Sequence, residues 1–174
     1  MFHVERSTQN RIIKGVVSIL LIIFVLQSCI GTKQAFMIDD YYISENGKEV
    51  LGTKPLNAFI FENNLKNLPF EQFLAIKYKL DNYLTREFWI TIDGDKYKLI
   101  VYENSEFDKY FGFSNFAVQN QENIANIVGG QPKFIAISMI NEFNEDCLSN
   151  KSMFQNKVTA YLKNLKDEYI QFKQ

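Results

Sequence analysis

The chain has 174 residues, of which 47% are hydrophobic, 22% charged and 15% aromatic, with a net charge of −1. These are the proportions of one folded domain and they exclude a disordered chain. Lysine and arginine nowhere gather into a stripe, so neither nucleic acid nor a polybasic contact with a membrane surface is expected.

The first fifteen residues carry Arg6, Arg11 and Lys14 against the single acid Glu5. Val16 to Leu26 then runs without a charge. A basic start followed by an apolar run of this length has the form of a secretory signal. The run is short for a spanning helix, which needs ~20 apolar residues. Leu26-Gln27-Ser28-Cys29 follows at once. This stretch resembles the lipobox of bacterial lipoproteins, with Leu three positions before an obligatory Cys and a small residue just before it. Gln27 stands where that family commonly has a small or branched residue. The resemblance covers residues 1–29 alone. It implies cleavage before Cys29, diacylglycerol on the Cys29 thiol and often a further chain, such as palmitate, on the new amine. At ~0.8 kcal/mol per buried CH₂, two or three chains make a stable anchor. Ile30 follows Cys29, not the Asp that retains some lipoproteins in the inner membrane, and no acidic cluster comes next. The implied address is therefore the outer membrane, facing the periplasm.

Cleavage takes away Arg6, Arg11, Lys14 and Glu5, so 19 basic and 20 acidic residues become 16 and 19, and the mature chain is near −3. Of the two cysteines, an acylated Cys29 has no free sulfur, which leaves Cys147 without a disulfide partner and reads as a buried, inert thiol.

From Ile30 to about Lys54 little periodicity shows, and the stretch reads as a tether containing Asp39-Asp40-Tyr41-Tyr42 and the turn signal Glu45-Asn46-Gly47-Lys48. Leu56 to Phe61 is a strand candidate. Pro69 to Leu84 fits a helical face through Phe73, Ile76, Leu80, Tyr83 and Leu84, although Ile76, Tyr78 and Leu80 also alternate like a strand; helix is the preferred reading. Phe88 to Ile92 and Tyr97 to Tyr102 flank Asp93-Gly94, the residues of a type I′ hairpin turn. Asp93 and Asp95 lack the rest of a calcium loop, so turn chemistry accounts for them better.

Phe107 to Phe116 holds five rings in ten residues. Most such rings pack inward. With Gly112 and Ser114 between them, Tyr110, Phe111, Phe113 and Phe116 are also the densest supply of partner-binding anchors, one or two of which are expected on the surface. Gly129-Gly130-Gln131-Pro132 reads as a loop without the spacing of a phosphate cradle. Phe134 to Ile140 is apolar on both alternating faces, as in a covered central strand. Met153 to Phe172 is a long amphipathic helix, with Ser152 and Gln155 placed as a capping box.

The only histidine, His3, leaves with the signal, so the mature chain has neither a His-dependent triad nor a His-based zinc site. The adjacent acids Glu145-Asp146 and Asp167-Glu168 point in different directions from any regular element and read as solvated faces. Neither a metal nor a cofactor is expected.

These readings give a signal peptide over 1–28, a lipidated cysteine and tether over 29–54, and one α+β domain over 55–174. The fold expected is a mainly antiparallel sheet with helices packed on one face, ending in the long C-terminal helix. The function expected is a non-catalytic, lipid-anchored interaction or assembly module whose partner is another envelope protein. The alternatives are an immunity or inhibitor lipoprotein against a periplasm-acting toxin, and a hydrolase assembled from distant carboxylates.

Overall fold

The computed structural model describes residues 16–17, 35–50, 52, 54–119 and 131–172. In chain order the elements are β1 (Phe36–Met37), β2 (Tyr42–Ser44), β3 (Ala58–Glu62), α1 (Phe70–Tyr78), β4 (Glu87–Ile92) and β5 (Asp95–Val101). There follow α2 (Asn104–Phe111), a 3₁₀ turn (Phe113–Asn115), β6 (Phe116–Ala117), β7 (Phe134–Asn141) and α3 (Gln155–Gln171). Strands β2, β3, β7, β5 and β4 lie in that order in one sheet, antiparallel at every step. β1 and β6 form a separate parallel pair. The architecture is α+β.

All eight residues of β7 are buried, which requires cover on both faces of the sheet. Ile135, Ile137 and Met139 pack with Phe70, Phe73 and Leu74 of α1 and with Val158, Leu162, Leu165 and Tyr169 of α3. Phe134 and Ala136 point the other way, into a cluster with Ile38, Phe107, Phe111 and Phe116. Two helices thus share one face, as expected, while the short α2 covers the opposite face with help from β1 and β6. The continuous apolar run of β7 accounts for this second layer, because a strand without a polar side cannot leave either face wet.

The four inward residues of α3 recur at steps of four, three and four and are at most 2% exposed. Each such burial contributes roughly 1.5–3 kcal/mol, so packing rather than helix propensity holds this element. Its start departs from the expected capping box. The helix begins at Gln155; Ser152 Oγ instead accepts the Phe154 N–H at 3.2 Å, and Gln155 Nε2 donates to the Leu148 carbonyl. The reciprocal cap forms on α2, where Glu106 Oε2 accepts the Glu103 N–H at 3.1 Å. Residues 70–78 are helical, as preferred from the sequence, but α1 stops at Lys79, which takes a left-handed conformation with φ 54°. Tyr83 and Leu84 consequently lie outside the helix and are exposed.

Asp93 and Gly94 have φ of 52° and 91° and close the β4–β5 hairpin. Both residues of a type I′ turn need positive φ, which Gly and Asp tolerate. The stretch 35–50 requires correction: it belongs to the folded body, not to a tether. It contributes β1 and β2, and the Tyr41 ring stacks on Phe59 at 4.6 Å. β2 is three residues long and is held by Ala58, Phe59 and Ile60, so no local period announces it.

One polar chain threads the interior. The Lys48 N–H donates to Tyr102 Oη at 2.8 Å, the Tyr102 hydroxyl donates to Ser138 Oγ at 2.8 Å, and Ser138 donates to the Asn57 carbonyl at 2.7 Å. Burial raises the Tyr102 pKa and keeps its proton in place. Replacing Tyr102 by Phe removes the link between the Lys48 N–H and Ser138 of β7. Chemical denaturation should show a loss of about 1–3 kcal/mol, because the Lys48 N–H then loses its acceptor.

Candidate functional site

The aromatic segment divides into interior and surface rings. Phe111 and Phe116 are 6% and 7% exposed and belong to the core, with Phe107 and Phe134 as neighbours. They hold the segment to the sheet and offer little surface for a partner. Tyr110 and Phe113 are half-buried at the edge of that cluster. Gly112, at φ 68°, ends α2 and reverses the chain into the 3₁₀ turn. Asp108 Oδ1 accepts the Phe113 N–H at 3.1 Å, and Asn115 Nδ2 donates to the Phe111 carbonyl at 2.9 Å. These bonds fix the turn that presents Phe113.

Phe113 borders a groove of about 590 Å³ with Asn104, Ser105, Asp108, Gln131, Pro132 and Lys133. Lys133 Nζ lies 5.3 Å from the Phe113 ring centroid, and Lys109 Nζ lies 4.9 Å from that of Tyr110. The flank therefore combines two accessible rings with two cations. Such a surface suits an apolar group bordered by carboxylates.

A second, more polar cavity of about 390 Å³ lies beside β1 and α3, bordered by Asp39, Asp40, Glu62, Asn64, Lys66 and Lys166. Its central feature is not local in sequence. Lys166 is 6% exposed and pairs with Asp40 and, at 3.1 Å, with Asp167; Lys163 Nζ is 2.8 Å from Asp40 Oδ2. Hydrogen bonds from Lys163 and Lys166 hold the Asp40 carboxyl below its usual value. The sequence shows Asp39-Asp40 as acids but carries no signal of their partners more than 120 residues away.

The acids that stand out in the sequence elsewhere are occupied structurally. Asp146 accepts the Asn57 N–H at 2.8 Å and the Leu148 N–H at 2.9 Å, and burial raises its pKa. Glu145 accepts Asn141 Nδ2 at 2.8 Å. Glu168 pairs with Lys77. Asp93 and Asp95 both face Lys157 Nζ, at 3.9 and 2.9 Å. Among the described residues no group of three His, Cys, Asp or Glu is placed to hold a metal ion, and no helix is long and apolar enough to cross a membrane. Cys147 is fully buried, and desolvation pushes its thiol up to about 12, so it is protonated and unreactive at neutral pH. Cys29 and Gly129-Gly130 lie outside the described residues.

Two outcomes test these assignments. Phe111→Ala should cost about 3–5 kcal/mol in denaturant titrations, as a core ring does, whereas Tyr110→Ala should cost about 1 kcal/mol or less. Asp40→Asn should lower the melting temperature at neutral pH. Because the folded carboxyl titrates below the unfolded one, the Asp40 contribution is complete above about pH 5 and disappears as pH falls through the lowered value. Melting curves of wild type and variant should therefore converge in acid. Comparison with protein-family models, with curated proteins and with solved structures returns no match to this chain.

Proposed function

We propose that this chain is a lipid-anchored, non-catalytic binding module of the bacterial cell envelope, tethered through Cys29 and facing the periplasm from the outer membrane. The observation that carries the reading is Leu26-Gln27-Ser28-Cys29 directly after a basic start and an apolar run. Only residues 30–34 separate Cys29 from Ala35, where the compact unit Ala35–Gln174 begins. Five residues of chain reach at most about 20 Å. An acylated Cys29 thus holds the domain at the bilayer surface, which suits a module that meets other envelope proteins there.

The partner-binding surface in this reading is the flank formed by Tyr110 and Phe113 with Lys109 and Lys133. Its rings carry contact area at low conformational cost, and its cations favour an acidic border on the partner. The domain itself supplies a rigid platform, since Phe107, Phe111 and Phe116 bind the flank to the sheet.

Cys29→Ala should abolish incorporation of a fatty-acid probe and move the protein from the membrane to the soluble fraction. Persistent labelling of the Ala variant would remove the lipoprotein assignment. Joint replacement of Tyr110 and Phe113 by Ala should reduce recovery of the partner in a pull-down while membrane attachment is kept. Unchanged recovery places the contact elsewhere on the domain.

A further inference from the structure

β4 is the outermost strand of the sheet, beyond β5, and at Glu87–Ile92 it is twice the length of the opposite edge strand β2. Edge strands of this length are normally blunted by a proline, a lysine or a bulge, because their free N–H and C=O groups recruit other strands. β4 has none of these. Its register with β5 is unbroken over six pairs. Among the described residues, no strand pairs with its other edge.

The hairpin turn decides which groups that edge presents. A two-residue turn makes Ile92 and Asp95 a hydrogen-bonded pair, and the bonded pairs then recur at Ile90 with Tyr97 and Phe88 with Leu99. The N–H and C=O of Glu87, Trp89 and Thr91 consequently point away from β5. The side chains of these three are also the exposed ones, while Phe88, Ile90 and Ile92 are buried in the core. Trp89, the only tryptophan of the chain, is 51% exposed in the middle of this edge.

We propose that β4 pairs antiparallel with β4 of a second copy of this chain, with Trp89 on the two-fold axis. Outward-facing groups can bond only to outward-facing groups, and the register that uses all three residues sets Trp89 opposite its own copy and Glu87 opposite Thr91. In this register Phe88 meets Ile90 on the core side, so the two apolar layers become continuous. On the other side Glu87 meets an uncharged residue flanked by Lys96, so opposite charges approach and no like charges face each other. The pairing is isologous and closes at a dimer with one ten-stranded sheet, five strands from each copy. Pairing β4 onto β2 uses only three residues and leaves an open chain of subunits. The inference is independent of acylation at Cys29, because β4 lies within the folded body.

The test is oxidative cross-linking of the full chain in intact cells. A cysteine on the axis places the two Cα atoms about 5.5 Å apart, within disulfide range. Cys147 is fully buried and does not compete; the wild-type chain gives the background. Trp89→Cys should produce a band at twice the chain mass, with two copies of the peptide 87–96 joined at position 89. Thr91→Cys alone should stay at background, since its copies lie four positions apart, about 13 Å, whereas Thr91→Cys co-expressed with Glu87→Cys should cross-link. A Trp89→Cys band no stronger than wild type overturns the proposal. So do equal yields from Trp89→Cys alone and Thr91→Cys alone, or a product of another mass, which identifies a different partner on this edge. The unaltered chain supplies a second reading. Its single tryptophan should emit at shorter wavelength as the purified protein is concentrated, or be blue-shifted throughout; a solvent-exposed emission maximum at every concentration contradicts the dimer.

Discussion

The rest of the structure follows from β7, a strand with no polar face. Burial of all eight residues from Phe134 to Asn141 forces the domain to have three layers. Ile135, Ile137 and Met139 are covered by α1 and α3, and Phe134 and Ala136 by α2 with β1 and β6. A strand in this position also needs partners on both edges: β3 pairs with Phe134–Ile137 and β5 with Ile137–Asn141, and the Tyr102 and Cys147 N–H groups donate to the Ala136 and Met139 carbonyls beyond them. The aromatic richness of the chain has the same origin. Thin elements such as β6 and the 3₁₀ turn cover the second face with little backbone, so large rings supply the area.

Among the described residues, four polar side chains are buried, Asn63, Ser138, Asn141 and Lys166, and each is matched. Ser138, which interrupts the apolar run of β7, sits in the chain from Lys48 through Tyr102 to Asn57. Asn63 accepts the Tyr169 hydroxyl at 2.8 Å and donates to the Pro132 carbonyl at 2.8 Å. Asn141 accepts two backbone N–H groups, from Phe143 and Glu145. Lys166 is paired with Asp40 and Asp167. Unmatched, each of these groups would cost one or more kcal/mol, and together they tie segments distant in sequence to one another. Two of the adjacent acids in the sequence act as such ties, Asp146 to Asn57 and Glu168 to Lys77.

The proposed lipid anchor, partner surface and dimer edge use separate parts of the chain: Cys29, the flank with Tyr110 and Phe113, and β4. These surfaces belong to different elements, so a lipid-held dimer could keep both flanks open to partners.

What the sequence determined by itself was local. Alternation and turn chemistry defined the β4–β5 hairpin, the apolar run defined β7 as a covered strand, and the three- and four-residue steps defined α3. These signals are legible because they depend on neighbours along the chain. The proposed lipidation of Cys29 is legible for a related reason, since a lipobox is a pattern in linear sequence. Tertiary structure alone decided the membership of β1 and β2 in the body, the division of the aromatic cluster into core and surface, and the Asp40–Lys166 pair. Each depends on a partner far away in sequence: β2 on Ala58–Ile60, Phe111 and Phe116 on Phe134, Asp40 on α3. A ring or a carboxylate has the same local signature whether it faces water or a distant element, so only the packed fold distinguishes the two.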